Sequence, residues 1–307
     1  MYYQNNPIEN IKTFFRQKSV LSRLIIINIA VFVFVNIVNL FLWLFQVNSE
    51  ISNNLGISPI VYWFAVPSDF NLLLSKPWTL FTYMFLQVNF FHIFFNMFVL
   101  YFGGRIFLEY LNSKKLLGTY IWGGIAGGLF YVLAYNIFPV FSSTVYISIA
   151  LGASASVLAI LVAISVYVPN YTITLFLFGR MKLKYIALIL VAIDILSIQG
   201  DNPGGHIAHL GGALWGFLYI YFLKKGFDFN NIIKFNKISS YFKTYKKPKK
   251  YYSKSYYSER PLTDDEYNKR KAVDQEKIDE ILDKISKSGY EKLTKEEKEI
   301  LFKMSNK

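Results

Sequence analysis

The chain has 307 residues, with 33 Lys+Arg against 20 Asp+Glu, no Cys, 53% hydrophobic and 19% aromatic residues. Only 17% is charged, against about a quarter in a soluble domain, and positions 24–49, 77–104 and the 64 residues 116–179 hold no Asp, Glu, Lys or Arg. One bilayer crossing takes about 20 apolar residues, so these runs exclude a soluble globular enzyme, a disordered chain and a secreted disulfide scaffold. Residues 1–20 form a basic segment with Lys12, Arg16 and Lys18. The apolar run after it is too long for a signal sequence and no A-x-A-like site follows, so it reads as a retained transmembrane helix.

Six spans are expected within 21–224: Leu21–Phe45, Phe90–Phe107, Lys115–Tyr135, Ile149–Val168, Leu183–Ile198 and Gly205–Leu223. Basic residues mark every second connection: the N-terminus with Arg23, then Arg105, Lys114 and Lys115, then Arg180, Lys182 and Lys184, then Lys224 and Lys225. Positively charged loops face the cytoplasm, so the fold class is an all-α polytopic membrane protein with both termini inside. The first outer connection, 46–89, is too long for a plain link and is expected to hold short interfacial helices. Residues 225–263 read as a basic, Tyr-rich juxtamembrane linker drawn to anionic lipid headgroups, with no nucleic acid expected as partner. Residues 264–307 read as a small cytoplasmic helical module. In it Ile278, Ile281, Leu282 and Ile285 recur at helical spacing, and Thr294 with Glu297 has the form of a capping box.

Ionisable and strongly polar groups at membrane depth are costly and mark functional sites. All three His lie in or at the edge of spans: His92, with Asn96 one helical turn on; then His206 and His209. Ser154 and Ser156 sit in Leu151-Gly-Ala-Ser-Ala-Ser. The charge count puts all these residues toward the outer half of the membrane. A serine beside an imidazole can perform acyl transfer: the ring takes the hydroxyl proton and later gives it to the leaving amine. The oxyanion needs preorganised donors, which His92, Asn96 and the backbone N–H of Ser154 at a helix start can supply. Plainer readings compete. Small residues near Gly let helices pack closely, and a His in a span can be a packing residue. Two His at i, i+3 can hold a metal, but no carboxylate or Cys joins them at suitable spacing in sequence. Asp194 stands alone as a carboxylate inside a span. It can orient His206 or His209, though the simpler reading bonds it to nearby backbone or Ser197.

The three motifs resemble those of the rhomboid intramembrane serine proteases: His92-Ile-Phe-Phe-Asn96, Gly152-Ala-Ser154 and Ala208-His209-Leu-Gly-Gly-Ala-Leu-Trp-Gly216. The resemblance covers about 21–224, including the long first outer connection. It implies Ser154 as nucleophile and His209 as its base, a dyad with no required acid. His92 and Asn96 would be oxyanion donors, and transmembrane helices the substrates. No cofactor or metal is implied. The chain departs from the usual pattern at Ala155 for Gly, at Leu158 for an aromatic, and at Thr79 after Trp78 for Arg. Ser156 is two positions from Ser154, about 200° around a helix, so the two cannot share a face. His209 is preferred to His206 because Gly211, Gly212 and Gly216 let its helix approach closely. Hydrolysis needs water, so an outward-opening cavity lined by His92, Asn96, Ser154, His206 and His209 is expected. The expected activity is serine endopeptidase in a multi-pass protein of a bacterial inner membrane. The alternative is a non-catalytic relative that binds transmembrane helices.

Overall fold

The computed structural model describes residues 16, 19–47, 56–175, 179–231, 281–285, 293, 294, 297 and 298. The chain divides into two compact units, 1–240 and 241–307. In the first unit, α1 is Val20–Leu44, and the outer connection holds α2 (Pro59–Phe64), β1 (Val66–Pro67), α3 (Phe70–Ser75), α4 (Thr79–Thr82) and a 3-10 turn, Tyr83–Phe85. Then come α5 (Phe90–Tyr110), α6 (Ser113–Ile137), β2 (Ile149–Ala150), α7 (Ser154–Tyr167), β3 (Thr172–Leu175), β4 (Gly179–Lys182), α8 (Leu183–Leu196) and α9 (Pro203–Lys224). Several helices start where the sequence supplies an N-cap acceptor for the free amides of the first turn: Ser19, Asp69, Asn89, Asn112 and Asn202.

Among the described residues, α1, α5, α6 and α9 are long and apolar enough to cross a membrane, and α7 is a shorter apolar helix. Their outward faces could not stand in water. Phe34, Phe41 and Trp43 of α1 and Phe90, Phe91, Phe94, Phe95 and Phe98 of α5 are all at least half exposed. So wide an apolar surface needs a lipid solvent. The inner faces of α5, α6 and α9 pack on α7, where every residue from Ala155 to Ser165 is buried, and α1 packs on α5 and α6. At 14 residues and about 1.5 Å per residue, α7 spans about 21 Å, less than the hydrocarbon thickness of about 30 Å.

Here the structure departs from the expected fourth span, which began at Ile149. Residues Ile149 and Ala150 instead pair, antiparallel, with Pro67 and Val66. The helix starts only at Ser154 because Gly152 has φ +130°, a conformation no helix accommodates. Ser154 is therefore the first residue of α7, not four residues inside a span. Ser68 fastens the same joint, its hydroxyl donating to the carbonyls of Val145 (2.6 Å) and Ser148 (2.9 Å). The short helices expected in the outer connection are present. The β3–β4 hairpin was not anticipated from the sequence.

At the other end, Asp228 closes the exit of α9. Its carboxylate pairs with Lys115 Nζ at 2.9 Å and accepts from the Asn230 backbone N–H at 3.0 Å and Tyr219 Oη at 3.3 Å. Burial pushes this carboxyl up, but the hydrogen bonds from Lys115 and Asn230 outweigh it and hold it below the ordinary range. A depressed carboxyl contributes stability above its unfolded value, near 3.9, that is lost as pH falls through the folded value. In detergent, the melting temperature should therefore fall as pH drops below about 5. Asp228→Asn should be less stable than wild type at neutral pH, with the gap narrowing toward pH 3; a gap constant with pH would remove the assignment.

In the second unit, Thr294 and Glu297 form the expected capping box. The Thr294 N–H donates to Glu297 Oε2 at 2.7 Å, and the Glu297 N–H donates to Thr294 Oγ1 at 3.3 Å. Ile281 is buried and Leu282 half exposed. Ile278 and most of the expected basic linker, 232–263, lie outside the described residues.

Candidate active site

Above the start of α7 lies a cavity of about 200 Å³, lined by Tyr83, His92, Gly152, Ser154, Ala155 and Ala208 among others. Gly152 makes this meeting possible. A Cβ there would stand 2.7 Å from His92 Cε1, 3.3 Å from His92 Nε2 and 3.6 Å from Ser154 Oγ. The missing side chain thus admits the imidazole of α5 beside the hydroxyl of α7. The Gly152 N–H donates to the Tyr83 carbonyl at 2.9 Å, and Tyr83 Oη donates to the Gly124 carbonyl of α6. The loop is held from both sides. The first amides of a helix have no partner within it and carry the positive end of its dipole, and the first two residues of α7, Ser154 and Ala155, line the cavity.

Ser156, the rival serine, is fully buried, with its hydroxyl toward Met84 Sδ at 3.9 Å and its side chain against Gly124. It serves the α6–α7 contact and does not line the cavity.

His209 arrives on α9, one residue after the cavity-lining Ala208. Its helix comes close because Gly212 lies against the backbone of Ala155 and Gly216 against that of Ala159. On the other side, Gly127 of α6 meets Ala155 Cβ and the carbonyl of Ala208. The methyl of Ala155 is thus taken up by the gap at Gly127, although Ala155 also borders the cavity.

The simpler reading of Asp194 is overturned. Its Oδ1 lies 2.7 Å from His209 Nδ1 and 2.8 Å from His206 Nδ1. A carboxylate only accepts, so each ring donates to it from Nδ1, and the tautomer that does so as a neutral ring keeps its lone pair on Nε2. Rotation along α8 brings the carboxylate to α9, a placement that spacing in sequence does not show. It also supplies the carboxylate that sequence spacing had denied to the His pair.

His206 and His209, expected in the lining, do not border the cavity themselves, and neither does Asn96. It is buried, and its Nδ2 donates to Gln87 Oε1 at 2.9 Å. Gln87 Nε2 donates in turn to Asn28 Oδ1 at 3.1 Å, and Asn28 Nδ2 to Tyr120 Oη at 3.0 Å. Tyr120 closes the chain on the Met84 carbonyl at 3.0 Å. A buried amide must be satisfied, and this run joins α1, α5, α6 and the outer connection behind His92. Gln87 and Asn28 were missed in sequence; their signal was strong polarity inside uncharged runs. One Asn96 N–H remains beyond the bond to Gln87. Of the other departures, Thr79 is buried and donates to the Lys76 carbonyl at 2.7 Å, while Trp78 Nε1 donates to the Trp63 carbonyl at 2.9 Å. Leu158 is buried within α7.

The family model described as Rhomboid domain matches residues 74–226. A family of unknown function, DUF6576, matches 263–307. The chain is similar to Presenilin-associated rhomboid-like protein A, mitochondrial, of Danio rerio, with 28% identity over 132 residues. That match takes in 42% of this chain and 33% of the relative, so it compares a shared domain and not two whole proteins.

Proposed function

From a chain that belongs to the rhomboid family, we propose an intramembrane serine endopeptidase that cuts transmembrane-helix substrates. The observation that carries this reading is the meeting of Ser154, His92 and the turn at Gly152 in one cavity, with His209 tied at Nδ1 on the adjoining helix. Ser154 Oγ attacks the scissile carbonyl while His209 Nε2 accepts its proton. The carbonyl oxygen becomes an oxyanion, stabilised by the His92 ring N–H and the amides at the start of α7, while Asn96, expected from sequence as a second donor, is held on Gln87 away from the cavity. The imidazolium of His209, steadied by Asp194, gives its proton to the leaving amine. Water then enters the cavity and attacks the acyl carbon as His209 takes its proton; the bond to Ser154 Oγ breaks, Oγ regains that proton from His209, and the acyl product leaves. In this reading the chain crosses the membrane six times with both ends in the cytoplasm. The Lys/Arg pattern supports that topology, α7 and α8 being short spans completed by their flanking turns. The basic segment after α9 binds anionic headgroups. The relative is named as a mitochondrial protein, so the bacterial inner membrane expected from sequence gains no support from it.

The test is cleavage of a model single-span substrate in liposomes. Wild type should produce two fragments and His209→Ala none. If folded wild type binds the substrate without cutting it, the helix-binding alternative replaces this reading.

A further inference from the structure

We propose that Asp194, His206 and His209 form a divalent metal site, best suited to Zn2+, whose occupation switches the catalytic base off. The inhibitory part rests on the function proposed above; the binding part does not. One ring nitrogen from each His and a carboxylate oxygen of Asp194 all lie within 4.8 Å of one another, and both Nδ1 atoms stand within 2.8 Å of Asp194 Oδ1. Two imidazoles and one carboxylate are the donor set of three-ligand zinc sites, in which bonds of about 2.0–2.2 Å leave a fourth position to water. The carboxylate is buried, while each His side chain is about a quarter exposed (24%). The site is therefore anchored on one side and reachable on the other. The chain has no Cys and only three His, and among the described residues no other cluster of this kind occurs. Zinc has little else of comparable affinity to choose.

The chemistry follows from the ring tautomer. Without metal, Asp194 holds the proton of His209 on Nδ1, and Nε2 is free to accept the proton of Ser154. When a metal binds Nδ1, the single proton of the neutral ring must sit on Nε2. The same holds for His206. No proton is gained or lost overall; each moves from one ring nitrogen to the other. Nε2 then donates and cannot accept, so the base is disabled with its ring still in place. The carboxylate that orients the base is the same group that would recruit its inhibitor.

The experiment uses the full chain in detergent, free of any histidine tag and stripped with EDTA. Calorimetric titration with Zn2+ should show one site of micromolar or tighter affinity. The affinity should weaken at least tenfold in both His206→Gln and Asp194→Asn. No binding to folded wild type at roughly 100 μM Zn2+, or equal binding by wild type and His206→Gln, would overturn the site. Substrate cleavage is then followed with and without Zn2+, each variant compared with its own metal-free rate. Wild type should slow at least tenfold and recover with EDTA, and His206→Gln should need at least tenfold more Zn2+. Binding without any slowing of an active wild type would refute the switch while leaving the site. An inactive wild type that binds Zn2+ tightly would count against the protease and not against the site.

Discussion

Ser154→Ala should abolish covalent labelling of the detergent-solubilised chain by a fluorophosphonate probe and lower substrate cleavage at least about a thousandfold. Ser156→Ala should label and cleave like wild type. The contrast follows from geometry: Ser154 borders the cavity beside His92, whereas the hydroxyl of Ser156 is fully buried toward Met84. Removing it costs one weak contact to sulfur. Labelling that survives in Ser154→Ala and disappears in Ser156→Ala would transfer the role to the second serine.

The second large effect concerns glycine. In Gly212→Val the new side chain meets the backbone of Ala155, with the carbonyl carbon 2.8 Å from where Cβ would stand. A helix backbone cannot yield as a side chain end can, so α9 must move off α7. Such overpacking costs about 1–3 kcal/mol or more, a fall of about 3–10 °C in melting temperature. Because the same displacement withdraws His209, probe labelling should be lost even below the melting temperature. Gly103→Ala is the matched control, since its Cβ would stand 3.7 Å from Leu161 Cδ1, an ordinary contact, and stability and labelling should stay within error of wild type. A Gly212→Val protein as stable and as reactive as wild type would mean that the close approach at Gly212 does not set the site.

The membrane class, the ends of α1, α5, α6 and α9, and the short helices of the outer connection were legible because uncharged runs and N-cap residues are local signals. Helical periodicity also showed that Ser154 and Ser156 face different ways, and the structure puts Ser154 at the cavity and Ser156 against Met84. The start of α7 was not legible. It depends on β2 pairing with β1, a partner more than 80 positions away, and apolar Ile149 and Ala150 carry no mark that separates strand from span. Asp194 escaped for a similar reason: which way a carboxylate points from α8 is decided by how that helix is rotated against α9. The polar run through Asn28, Gln87 and Asn96 has the same character. Each amide is visible alone, but the partners that make it tolerable come from separate elements.

The way the cavity is pieced together has a consequence for synthesis. Its wall takes His92 from α5, the turn at Gly152 from the approach to α7 and Ala208 from α9, while the ring of His209 awaits Asp194 from α8. No subset of these segments holds the whole constellation. As the chain emerges from the ribosome and its helices enter the bilayer one after another, the proposed nucleophile stays chemically ordinary until the last helix has docked. On the proposed function, a half-made molecule would carry the serine without the base that activates it.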